Sequence, residues 1–348
     1  MILIGGGALA AAVAVAAALS LAGGGGLGPE GAASGTPPAS VPSDAPRTRI
    51  PVGPAPTDVA VDPVTHRVYV GHRSGDPSLT VIDGAAPNHL VLETVSLGSP
   101  VTGMAIDADL RRLYTSLGGS TTVLVWDIAE AAPARVGEIE VGRDPQGIAV
   151  DPRSHRVYVA VGGEDVVSVI DGDPDPPRVR STVGVGRRPV SVAVDPVVDR
   201  VYVANRRSGS VSVVDPRVDP PRETALLRTG REPVAVVVDP GTNRAFVANS
   251  EGDTVTVVQG TLTTLGRVVR MPIERPLGLA VDPASHRVLV SGGNQPTVSV
   301  LRGKGAPRWL RVVDVEPFPL GIGIDPELGL GFAALGDAAA VIVIPIAD

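Results

Sequence analysis

A chain of 348 residues, 43% of them hydrophobic, is long enough to bury a sizeable core, and all-β folds can use such a length as one domain. Its formal net charge of -7 offers no general attraction to nucleic acid or anionic membranes, so any basic function must come from a local patch. The absence of cysteine excludes disulfides, thiolate metal ligands and a cysteine nucleophile, and with aromatics at 3% the core must be Val, Ile, Leu and Ala.

The first element in chain order is the apolar run Ile2 to Ala22, broken only by small residues. It approaches the length of a membrane span and also fits a secretory signal, with Ser20 and Ala22 where a cleavage site needs small residues. No Lys or Arg precedes the run, which departs from the usual signal pattern, and no Cys follows it, which excludes a lipoprotein anchor. Residues 1–22 are therefore expected to export the chain, as a cleaved signal peptide or a retained membrane anchor. A disordered Ala/Gly extension is the alternative. Residues 23–47 form a Gly/Pro/Ser/Ala linker.

Beyond the linker, residues 48–348 repeat. The acid of "VDPRSHRVYVA", Asp151, recurs as Asp62, Asp107, Asp195, Asp239, Asp282 and Asp325, at gaps of 45, 44, 44, 44, 43 and 43 residues. A proline stands six residues before six of the seven acids and seven before Asp107. Each copy reads as four short strands, such as "GIAVD", "RVYVA", "VVSVID" and "RSTVGVG", bounded by Gly, Pro, Asp or Asn. Seven such copies predict an all-β fold, a seven-bladed β-propeller with four-stranded blades. The last copy lacks a fourth strand, and "TRIPVG" (48–53) matches that slot, so the N-terminal strand is expected to complete blade seven.

Copies reading "PVSVAVDPVVDRVYVANRRSGSVSVVD", Pro189 to Asp215, resemble the YVTN β-propeller repeat proteins. Tyr202, Val203 and Asn205 match the naming motif, with Ala204 in place of Thr. The resemblance covers about residues 48–348 and implies an exported or cell-surface propeller used for binding. It brings no set of catalytic residues. Trp126–Asp127 is similar to a WD dipeptide, but the sister copies have no Trp there, and Trp126 reads as a buried anchor.

Four residues after each acid stand His66, Arg111, His155, Asp199, Asn243, His286 and Gly329. This is a hairpin position that often takes φ > 0, and all but Arg111 are residue types suited to it. The three histidines lie on different blades and cannot share a metal. The repeat acids read as turn caps, and "DGDPDPP", Asp171 to Pro177, is too Pro-rich to read as a calcium loop. No metal and no cofactor are expected.

Residues opening the first strands face the central channel and are mostly small or apolar. Asp58, Thr102, Gln146 and Ser191 are the exceptions, and Asp58 alone does not make an acid–base pair. The loops leading into first strands, with those joining second to third strands, share one face carrying seven Arg and seven Asp or Glu. On blade four "VGVGRRPV" and "ANRRSGSV" place Arg187, Arg188, Arg206 and Arg207 at one corner with no acid of their own. Four guanidinium groups suit an anionic ligand, unless Glu164, Asp165, Glu251 and Asp253 of the flanking blades neutralise them. The chain is thus expected to be an exported, non-enzymatic, monomeric binding module for a protein or an anionic surface polymer, with nucleic acid as a weaker candidate. The alternative is a lactonase-like hydrolase or lyase with a channel site.

Overall fold

The structure, a computed structural model, describes residues 48–346 apart from 174, 260–267 and 271–273. The signal or anchor segment 1–22 and the linker 23–47 lie outside the described residues.

Seven four-stranded sheets follow one another along the chain. Blade one is typical, with strands Pro56–Val61, Arg67–His72, Ser78–Asp83 and Val91–Ser96, each antiparallel to the next. The first strand of every blade packs beside the first strands of both neighbours, and the last beside the first, so the sheets form a ring. The seventh sheet holds Pro319–Asp325, Leu330–Leu335 and Ala340–Pro345, with Arg49–Pro51 as its outer strand. Ile50 lies opposite Val341, and the Val52 N–H donates to the Ala339 carbonyl at 2.9 Å.

Position in the blade decides the composition of each strand. Second and third strands are covered on both faces by adjacent blades, so Arg200–Asn205 and Ser210–Asp215 are buried throughout and read as near-continuous Val, Ala and Ser. Fourth strands face water, so Arg222–Arg228 is largely exposed and polar. The core consists of seams rather than one mass. Tyr158, Val167, Val169 and Val183 of blade three pack on Val192, Val201, Val203 and Val214 of blade four. Trp126 is buried in the seam between blades one and two, its indole N–H donating to Thr115 Oγ1 at 3.0 Å.

The hairpin position four after each acid is left-handed in every blade, with φ between 51° at Asp199 and 65° at Gly329. Arg111, which the residue-type argument left out, adopts it at 55°. The reason is a contact that spacing within one blade does not show. His66, Arg111, His155 and His286 each reach back to the acid of the preceding blade: Asp325 at 2.8 Å, Asp62 at 2.8 Å, Asp107 at 2.9 Å and Asp239 at 3.0 Å. One carboxylate oxygen caps the acid's own turn, as where Val64 N–H donates to Asp62 Oδ1, and the other receives the neighbour. The arginine that opens the second strand reaches forward instead. Arg67 donates to the Ile128 and Glu130 carbonyls, Arg112 to Gly172, Arg156 to Pro216 and Arg244 to Gly303, each one blade on. The conserved spacing of the repeat on this face therefore serves blade-to-blade stapling.

Candidate binding sites on the loop face and in the channel

On the opposite face the blade-four loops lie side by side. Arg206 N–H donates to the Arg188 carbonyl at 2.9 Å and Arg207 N–H to the Arg187 carbonyl at 3.2 Å. The loops are held from within and from blade three. Arg188 is left-handed, with φ 52°, and its N–H donates to Asp165 Oδ1 at 2.7 Å.

The four side chains divide into two pairs. Arg206 makes a two-pronged contact with Glu232 Oε2, at 3.0 and 2.7 Å, and Arg188 approaches Asp144 at 3.6 Å. Arg187 and Arg207 are exposed and, among the described residues, form no ion pair. Of the four acids of the flanking loops, Asp165 sits at the corner and the others have partners beyond it. Glu164 faces Arg143, Asp165 and Asp253 cap the backbone of Arg188 and Arg275, and Glu251 offers only its carbonyl to Arg231. The acids in contact are Asp144 and Glu232, each from the loop leading into a flanking blade. They stand immediately before the repeat proline, as Arg188 does, and that shared position was the available signal.

The asparagine of the repeat motif builds this loop face. Asn249 is buried, accepts from the Gly230 N–H at 3.1 Å and donates to Thr254 and Thr256 hydroxyls at 3.1 and 3.0 Å. It fastens the lead-in loop to its own blade. His72 does the same work in blade one, between the Pro54 carbonyl and Thr80 Oγ1, each at 2.9 Å. Burial pushes its imidazole below the usual range.

The seven first strands enclose a channel of about 490 Å³. Its wall is two-sided: Thr57, Thr102 and Gln146 line it on blades one to three, and Val190, Val234, Leu277 and Leu320 on blades four to seven. The next ring holds Gly103, Gly147, Gly278 and Gly321, where a Cβ at Gly278 would lie 2.3 Å from the Leu320 carbonyl. Blade one carries Asp58 at this crowded position. Burial pushes its carboxyl up to about 6, against the lowering effect of the Val59 and Met104 N–H groups, the first of which it accepts at 3.0 Å. Ser191 occupies the equivalent place in blade four and likewise accepts across a seam, from Val236 N–H at 3.1 Å. Arg73, on the loop between the second and third strands of blade one, also lines the channel; the sequence reading had left it out. Among the described residues no three His, Asp or Glu side chains gather as a metal site. In the "DGDPDPP" segment Asp171 faces Arg180 at 3.3 Å and Asp175 faces Arg112 at 3.4 Å.

These features define a seven-bladed β-propeller, and solved structures agree. Hydrazine synthase from Kuenenia stuttgartiensis is similar at 20% identity and TM-score 0.73, over 90% of this chain and 99% of that one. The β-propeller domain of Cps50 (Swd1) from Myceliophthora thermophila is similar at 14% identity and TM-score 0.69, over 84% and 98%. A functionally unknown protein from Desulfotomaculum acetoxidans follows at 16% identity and TM-score 0.64, over 76% and 90%. At these identities the likeness is one of fold. No family model and no curated protein matches the chain.

Proposed function

We propose that this chain is an exported, monomeric, non-enzymatic binding module of the YVTN repeat type, whose blade-four corner takes an anionic surface polymer. The observation that carries this reading is the division among the four arginines. Arg188 and Arg206 are spent on Asp144 and Glu232, while Arg187 and Arg207 stand exposed and unpaired on loops joined by a 3.2 Å hydrogen bond. Two guanidinium groups carried on adjacent, hydrogen-bonded loops suit sulfate, phosphate or carboxylate groups spaced along a polymer.

Arg187→Ser with Arg207→Ser is expected to lower heparin retention at low salt, with the melting temperature unchanged. Arg188→Ser with Arg206→Ser should leave most of the retention, because those charges are already compensated. Equal retention by both double variants and the parent discards the corner, and DNA on a parallel column separates a general anion site from a polymer-selective one. Retention should weaken as salt rises. Fractionation of the native host checks location, with the chain expected outside the cytoplasm or in the membrane fraction. A second reading, a channel hydrolase or lyase, draws on Asp58, whose carboxyl at about 6 lies in the range of a general base. Lactone hydrolysis lost in Asp58→Asn would favour it.

A further inference from the structure

The channel wall is chemically one-sided in a second sense. The hydroxyl hydrogen of Thr57 is directed to the Gly71 carbonyl at 3.2 Å, and that of Thr102 to the Pro145 carbonyl at 2.8 Å. The amide N–H of Gln146 is directed to Asp144 Oδ1 at 2.7 Å. With their hydroxyl hydrogens committed to the protein, Thr57 and Thr102 offer the channel acceptor lone pairs, and Gln146, with one amide N–H held by Asp144, adds its carbonyl oxygen. Asp58, an acceptor when ionised, stands on the same arc. The opposite arc, Val190, Val234, Leu277 and Leu320, offers methyl groups.

An arc of acceptors facing an arc of methyl groups, in a space of ordinary ligand size, suits a donor-rich cation with an apolar side. We infer that the channel binds a small primary ammonium compound, its nitrogen directed to Asp58 and the Thr57–Thr102–Gln146 arc and its hydrocarbon against Val190, Val234, Leu277 and Leu320. The site is independent of the blade-four corner and carries the opposite charge preference. Burial raises the free energy of the Asp58 carboxylate, and an ammonium group beside it would offset that cost. Arg73, exposed and of opposite sign, lies in the lining and would meet a carboxylate at the far end of such a ligand.

Titration calorimetry of the whole chain with hexylammonium, 6-aminohexanoate and hexanoate tests the assignment. Hexylammonium should bind and hexanoate should not. Tighter binding of 6-aminohexanoate than of hexylammonium identifies an amino-acid-like ligand reaching Arg73, and the reverse order identifies a simple amine. Asp58→Asn, which keeps an acceptor for the Val59 N–H, should weaken hexylammonium at least tenfold. Arg187→Ser with Arg207→Ser should leave it unchanged. Should Asp58→Asn fail to fold, Val234→Ser supplies the second arm, with a loss of several-fold expected from spoiling the apolar side. No binding of either ammonium probe, equal binding of hexanoate, or full affinity in Asp58→Asn and Val234→Ser overturns the inference.

Discussion

Asp195 shows what one missing staple does. Its Oδ1 caps the turn through Val197 and Val198 N–H groups, but its buried Oδ2 has no partner among the described residues, and burial pushes the carboxyl up. The residue facing it from the next blade is Asn243, exposed and left-handed with φ 52°, in the place where blades one, three and six carry histidine. Asn is too short to span the seam. Asn243→His should complete the staple at no backbone cost, since His66, His155 and His286 tolerate the same φ. A gain of about 1 to 2 kcal/mol is expected, read as a higher denaturant midpoint with an unchanged slope. Asp58 makes the complementary case. Its carboxyl rises from the usual 3.8 to about 6, so between those values the folded state holds the proton more tightly than the unfolded one and stability falls as pH rises. Ionisation above that window costs on the order of 3 kcal/mol if the whole shift is charged to folding. Asp58→Asn is therefore expected to be the more stable protein near neutral pH and to lose its advantage toward about pH 4, measured by denaturant unfolding at both ends. A residue kept at that cost in a ring otherwise filled by Gly, Ala and Ser fits a binding role better than a packing role.

At the scale of single strands, Arg49–Pro51 carries more than its three residues suggest. Ile50 is buried among Val59, Val68, Val341 and Val343, and so binds together the seam of blades one and seven. Deleting residues 48–53 should lower the melting temperature far more than deleting 1–47, and equal melting temperatures would show the strand to be dispensable. The strand's slot was legible in the sequence because "TRIPVG" repeats the fourth-strand pattern. The fourth strands were the fainter signal, since a strand with one side in water, such as Arg222–Arg228, keeps few apolar positions. What spacing within a copy does not reveal is the partner of a side chain that leaves its blade. His66 could be read as a turn residue, but its bond to Asp325 spans 259 positions and depends on how two sheets are rotated against each other. The second-strand arginines went unread for the same reason, although their recurrence at one position in six copies was a visible signal. The corner arginines were found by pattern, and their division into spent and free pairs was not, because Asp144 and Glu232 belong to neighbouring blades.

Over the whole molecule the two faces have separate tasks. One is stitched, with histidine or arginine reaching back in blades one, two, three and six and arginine reaching forward from blades one, two, three and five, while Arg200 of blade four turns to its own blade. The other is free to vary, because its loops are fastened by backbone groups and by Asn249 or His72, leaving tips such as Arg187 and Arg207 unconstrained. The channel links the faces and keeps its own chemistry, set by the first strands. A ligand for the loop face and one for the channel could therefore change through different substitutions, without disturbing the stitched face.

The outer strand of blade seven also sets a clock. Arg49 is among the first described residues to leave the ribosome, and its partner Ile342 is among the last. Until that late segment emerges, the early strand has no sheet to join, and the seam between the first and last blades stays open. The ring thus locks only after the strand around Ile342 has emerged. Every earlier blade can form its own sheet before that moment, so the step that fixes the shape of the ring comes last.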